Sequence, residues 1–245
     1  MGVSKSQIEG ALAPIIASKL ASALSEFRFD RRQARYWEAD SSYADPRTAT
    51  AVASAAPKLE YMQSVLKLPR NSSVLDVGAG NGVFSWQLER HFDHVVSADV
   101  AFNMLVRNPC AGARIQASGY ELPVADASFD LVFCGNLLHH VANPAKVAGE
   151  MTRVARRHVV FCEPNRWNLP LLAFMALVPE ERGGVKFTPA YLRGLARQAG
   201  LTTVACEAMG LIYERATPAA LLPMLRIFDR PLWFGAYTVL IAVKP

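Results

Sequence analysis

The chain has 245 residues and is 51% hydrophobic, enough to bury the core of one α/β domain with additions or of two small domains, which excludes a disordered chain. Its net charge of +5 is modest and dispersed, so no nucleic-acid partner is expected. Cys110, Cys134, Cys162 and Cys206 lie far apart with no C-x-x-C pair, so neither a metal nor a disulfide framework is expected, and a reducing cytoplasm suits them.

Along the chain, Ile8, Leu12, Ile15, Ile16, Leu20, Leu24 and Phe27 recur at three and four residues. This predicts an amphipathic helix, with Pro14 interrupting its first turns. No charged segment followed by an apolar core opens the chain, so no secretory leader is read there. Arg28, Arg31, Arg32 and Arg35 interleave with Phe27, Phe29, Tyr36 and Trp37. That cluster reads as a solvated basic helix or, less simply, as a contact for an anionic substrate or membrane surface. Residues 30–47 are polar and aromatic, and a second helix is predicted over 48–67.

From there strands and helices alternate. Strands are expected at 73–77, 94–99, 113–117, 129–134, 158–162, within 201–209 and at about 236–243. Helices are expected at 82–91, 101–107, from Pro144 onward with Asn143 as its cap, and at 188–199 with Thr188 as its cap and Gly200 as its stop. The alternation implies a parallel sheet covered on both faces. Leu169 to Val178 is the longest apolar run near the middle. It is about half a bilayer span and contains Pro170, so no transmembrane segment is expected.

The chemistry concentrates in Val74-Leu-Asp-Val-Gly-Ala-Gly-Asn-Gly. Gly78, Gly80 and Gly82 form a bare turn between a strand and a helix, where a ligand can lie against backbone N–H groups. Val83 stands where the dinucleotide fingerprint requires its third glycine, which argues against a nicotinamide oxidoreductase. Asp99 ends the second strand, where an acid is placed to bind two ribose hydroxyls; its alternative role is to cap the helix that follows.

This pattern, with an acid at Asp76 and a second at Asp99, resembles the first motifs of the class I S-adenosylmethionine-dependent methyltransferases, of the type 11 kind. The resemblance covers about residues 70–205. It implies a three-layer sandwich around a mostly parallel, seven-stranded, Rossmann-like sheet whose last strand is antiparallel. An N-terminal helical arm or lid over 1–69 would precede the domain at 70–245, with a lid insertion at about 163–187. The cofactor would be S-adenosyl-L-methionine, held by Asp76, Gly78, Ala79, Gly80, Gly82, Asp99, Val100, Ser118, Gly119 and Asn136. Ser118 replaces an Asp that the family often uses for adenine. Tyr36, Tyr43 and Arg47 are candidates for the cofactor carboxylate or the acceptor.

Asn136-Leu-Leu-His-His-Val resembles the segment between cofactor and substrate, and lacks the Asn-Pro-Pro-Tyr of base and protein-amide methylation. His140 and His139 are the candidate bases; alternatively they shape the pocket or cap the next helix. Glu163, after the fifth strand, is a candidate base or substrate contact, or else pairs with Arg166. Phe129 is expected in the core and Asp130 in a turn. The apolar stretch Trp167 to Val178 would build an acceptor pocket; its competing use is contact with a membrane surface or lipid-like substrate. The activity expected is methyl transfer to an oxygen or nitrogen of a small, partly apolar metabolite. The alternative is a non-catalytic cofactor-binding module that acts through a partner.

Overall fold

The computed structural model describes residues 5–40 and 45–245, with side chains from residue 19 onward. Seven strands form one sheet in the order β3-β2-β1-β4-β5-β7-β6. They are β1 (Ser73–Val77), β2 (His94–Asp99), β3 (Arg114–Gln116), β4 (Phe129–Gly135), β5 (Ala155–Pro164), β6 (Thr202–Met209) and β7 (Tyr237–Val243). The first five run parallel, and β7 lies antiparallel to both β5 and β6. The expected Rossmann-like architecture is therefore present.

Strand residues alternate between two cores because successive side chains leave opposite faces of the pleat. Leu75, Val77, Val132 and Cys134 meet α5 (Pro144–Val154) and α7 (Pro189–Gln198) on one face. Val74, Leu131, Phe133 and Val160 meet α2 (Ala49–Leu66) and α3 (Val83–His91) on the other. Thr48, Asn143 and Thr188 cap α2, α5 and α7 with their side chains, so the caps at Asn143 and Thr188 are where the sequence puts them. Asp130 itself lies in β4. Its carboxylate accepts from the N–H and Oγ of Ser73, each at 2.8 Å, and pairs with Arg156 at 3.0 Å, which ties β4 to its neighbours.

The first helix differs most from its expected form. α1 runs from Lys5 to Ala39, well past the apolar repeat that predicts it. Leu20, Leu24 and Phe27, members of that repeat, are exposed. The contacts that hold α1 to the sheet domain come instead from its last turns and are polar. Asp30 Oδ1 accepts from Ala142 N–H at 2.8 Å, and Gln33 Nε2 donates to the Glu180 carbonyl at 3.0 Å. Glu38 Oε2 accepts from Asn103 N–H at 3.2 Å, in α4 (Phe102–Arg107). Residues 163–187 hold α6 (Leu169–Leu177) and a 3-10 segment, Pro179–Lys186. No described helix is long and apolar enough to cross a membrane.

Candidate active site

The chain steps outward from β1 to β2 and β3, then returns to β4 on the other side of β1. Strand direction out of the centre reverses there, and open α/β sheets bind ligands at the carboxyl ends of such strands. The glycine turn leaves β1 at this point and Asn136 leaves β4. Gly78, Gly80 and Gly82 have φ of +73°, +53° and +94°. Gly78 and Ala79 donate to the Ala98 carbonyl at 2.8 and 3.0 Å, and Gly80 N–H donates to Asp99 Oδ2 at 2.8 Å. A Cβ built on Gly80 meets nothing nearer than the Met104 methyl at 3.5 Å, so the turn leaves open space in front of it. Gly82 serves packing instead: its missing Cβ is replaced by Asn108 Oδ1, at 2.3 Å from that point.

Asp76 lies behind the turn, buried, where Ser85 Oγ donates to it at 2.6 Å. Ser97 Oγ lies 3.0 Å from Ser85 Oγ, and Asn108 Nδ2 donates to Ser97 Oγ at 3.1 Å. Burial raises the Asp76 carboxyl to about 7. Asp99 is held on both oxygens, Oδ1 accepting from Ala101 N–H at 2.8 Å. Burial also raises its pKa, against the pull of these N–H groups.

A first cavity opens in front of the turn. Gly78, Gly80, Asp99, Val100, Ser118 and Gly119 line its sheet side, and Asp30, Gln33, Ala34 and Trp37 of α1 roof it. A second cavity, of ≈ 500 Å³, lies beyond it. Its wall is mixed: Pro170, Leu171, Phe174 and Val178 are apolar, while Tyr36, His139 and Glu181 are polar. Asn136, His140 and Glu214 belong to the walls of both cavities. Asn136 has φ of +57°, a left-handed conformation Asn tolerates better than most residues. Asn136 Oδ1 and Glu214 Oε1 are buried and accept no hydrogen bond from the described residues. Burial lifts Glu214 to about 7, against the charges of Arg215 and Lys58.

The two histidines form a 3-10 turn after β4 with their rings 3.9 Å apart. His139 Nδ1–H donates to Glu163 Oε2 at 2.6 Å, and its Nε2 lies 3.3 Å from Glu181 Oε2. Burial pushes His139 down, but Glu163 and Glu181 outweigh it and its pKa is raised. Burial and the neighbouring His139 push His140 down to about 3. His140 Nδ1–H donates to the Glu180 carbonyl at 3.2 Å.

The methyltransferase domain family model matches residues 75–162. The matched residues are similar to a methyltransferase domain. An uncharacterized methyltransferase of Mycobacterium sp. (strain JLS) is 34% identical over 137 residues, which are 54% of this chain and 51% of that protein. A ubiquinone biosynthesis O-methyltransferase of Hahella chejuensis is 32% identical over 147 residues, 54% of this chain and 57% of that protein. The chain thus spans about half the length of these curated relatives. A solved structure of an S-adenosylmethionine-dependent methyltransferase from Thermotoga maritima, described as a possible histamine N-methyltransferase, has the same fold. Its TM-score is 0.59 at 17% identity, over 78% of this chain and 90% of that one.

Most residues singled out from sequence face one site. Gly78, Ala79, Gly80, Asp99, Val100, Ser118, Gly119, Asn136 and His140 line the first cavity. Asp76 and Gly82 stand behind it and support the turn. Tyr36 and His139 line the second cavity. Arg47 lines neither: it is exposed and its guanidinium is engaged by Asp45, Nε lying 2.8 Å from Oδ1. A carboxylate two residues away satisfied it more cheaply than a distant ligand. Tyr43 lies outside the described residues. Glu163 is fully buried, not at the mouth of the site. It accepts from Leu137 N–H at 2.9 Å and Leu138 N–H at 2.7 Å and holds His139; it lines neither cavity, and no ion pair joins it to Arg166 among the described residues. The His pair does not cap α5, because Asn143 does. Sequence reasoning missed Glu181, Glu214 and the roof residues Asp30, Gln33 and Ala34. Each comes from a loop or helix that only the tertiary fold brings to the strand ends, so no local spacing marks it.

Proposed function

We propose that the protein is an S-adenosyl-L-methionine-dependent methyltransferase that methylates an oxygen or nitrogen of a small, partly apolar metabolite. The observation that carries this reading is the junction: Asn136, His140 and Glu214 stand in the walls of both cavities. The first cavity suits the cofactor. Asp99 offers a carboxylate with lone pairs left for ribose hydroxyls, the space before Gly80 is open, and Val100 gives an apolar edge. When bound, the cofactor supplies an electrophilic methyl on a sulfonium that leaves as a neutral thioether, so the new bond forms as the carbon–sulfur bond breaks. The chain must then position the acceptor and exclude water.

The second cavity holds the acceptor. Its apolar wall from α6 selects a partly apolar molecule, and Asn136 Oδ1 orients it as a free acceptor of a hydrogen bond. Glu214, with a free buried oxygen at the junction, takes the acceptor's proton. A carboxylate near 7 is matched to that task at neutral pH; His140, at about 3, is a much weaker base. α1 and the 163–187 segment act as a lid, since both contribute to the cavity walls. The buried free cysteines, all four of them, fit a cytoplasmic setting.

Labelled cofactor incubated with the protein and a metabolite extract tests the reading. Label in a small molecule is expected. Label found only in RNA or protein overturns the acceptor class. Tight cofactor binding with no product from any extract, together with a stable partner in a pull-down, replaces the enzyme with a binding module.

A further inference from the structure

We propose that His139, His140 and Glu181 hold a divalent transition-metal ion of the zinc class in the wall of the second cavity. Each offers one ligand atom, and the three atoms lie within 4.8 Å of one another. His139 Nε2 is 3.3 Å and His140 Nε2 is 3.8 Å from the same oxygen, Glu181 Oε2. Ligands about 2.0–2.1 Å from a tetrahedral ion stand roughly 3.3 Å from each other. A hydrogen bond accounts for the first of these distances. The second is too long for one, yet the imidazole is still aimed at that oxygen.

The surroundings are built as metal sites are built. Metal-bound imidazoles donate their other N–H to a carboxylate or a carbonyl, which fixes ring and tautomer. His139 does so to Glu163 at 2.6 Å and His140 to the Glu180 carbonyl at 3.2 Å. Glu163 is itself fixed by two backbone N–H groups. The Pro179–Lys186 segment is pressed onto the pair: a Cβ on Gly183 would stand 1.8 Å from the His139 carbonyl oxygen. That close approach brings Glu181 to both rings. With both imidazoles deprotonated as ligands, the Glu163 and Glu181 carboxylates offset the charge of one divalent cation.

Two His and one Glu form a donor set that leaves an open fourth position on zinc. His139, His140 and Glu181 all line the second cavity, so the open position faces the acceptor. This deepens the reading of that cavity as the acceptor site and rests on it: the acceptor atom would be a hydroxyl oxygen, whose proton a bound cation loosens for transfer to Glu214.

The test is calorimetric titration of the chelator-treated full chain with zinc, paired with cobalt(II) absorption spectroscopy. One ion per chain at micromolar affinity or tighter is expected, with the intense visible bands of four-coordinate cobalt. Glu181→Gln and His140→Ala should each weaken zinc binding at least tenfold, and Glu181→Gln, at a residue that lines the second cavity alone, should leave S-adenosylmethionine affinity within twofold of the parent protein. No binding of either ion, or binding that neither substitution alters, overturns the site. Labelled transfer before and after chelation separates the two readings. Transfer that persists unchanged without metal overturns the metal's part alone. Metal binding in a protein that methylates nothing overturns the enzyme reading and leaves the site standing.

Discussion

Single residues divide the site into a part that sequence spacing exposes and a part that it hides. Asp99 belongs to the first: an acid at the end of the second strand is required of any ribose site. Replacing it by Asn should raise the cofactor dissociation constant at least tenfold, since hydrogen bonds to a charged group contribute about 1.5–3 kcal/mol. Unchanged binding by calorimetry would remove Asp99 from the ribose. Glu214 belongs to the second, because its role comes from burial and from standing between two cavities. As a base it must be ionised, so kcat should rise with pH through about 7 and then level. Glu214→Gln should lower kcat by roughly 10²–10⁴ and flatten that limb, with cofactor affinity kept. A mutant profile that retains the limb assigns the proton to another group. Arg47 illustrates why residue type alone misleads. A guanidinium suits a carboxylate, but the one it found is Asp45 in its own loop.

Among elements, strands and capped helices were legible because pleat alternation and cap chemistry are local. The bounds of β1 and β2 agree with the sequence reading, and β5 is longer at both ends because pairing with β4 and β7 extends it. α1 was legible as a helix and misread as to its working face. Periodicity locates an apolar stripe, whereas the sheet domain meets this helix through Asp30, Gln33 and Trp37, which no stripe marks. The first cavity, at ≈ 170 Å³, is smaller than the roughly 300–1,000 Å³ that encloses a drug-sized ligand. An outward swing of α1 would widen this cavity for a nucleoside. Asp30→Ala removes the acceptor for Ala142 N–H and the Tyr120 hydroxyl, a loss of about 0.5–1.5 kcal/mol for each half-buried bond. Amide exchange in residues 26–39 should accelerate in this variant and slow on addition of cofactor to the parent protein. Equal exchange in all three states would mean that α1 is not a moving part.

For the molecule as a whole, Asp76 couples the site to stability. Its pKa is about 7 folded against 3.8 for an ordinary aspartate carboxyl, so the folded state holds the proton more tightly. The neutral form is accommodated, and stability is lost as pH rises from about 4 through about 7, by roughly 3–4 kcal/mol when complete. Asp76→Asn keeps the shape without the charge. It should match the parent's melting temperature near pH 4 and exceed it near pH 8; a difference independent of pH would mean that Asp76 titrates normally. The arrangement of the sheet carries a further consequence, in time rather than in space. β7 is inserted between β5 and β6, and β6 pairs with no strand except β7. During synthesis residues 202–209 therefore have no docking edge until 237–243 have emerged. For that interval β5 has an open edge, and α7 and Glu214 wait beside an unfinished sheet. A chain interrupted in the 210s would carry nearly all the donor-site residues and still expose a strand edge able to pair with another chain. The second cavity, walled in part by Tyr237, thus takes its form only after the last strand has closed the gap.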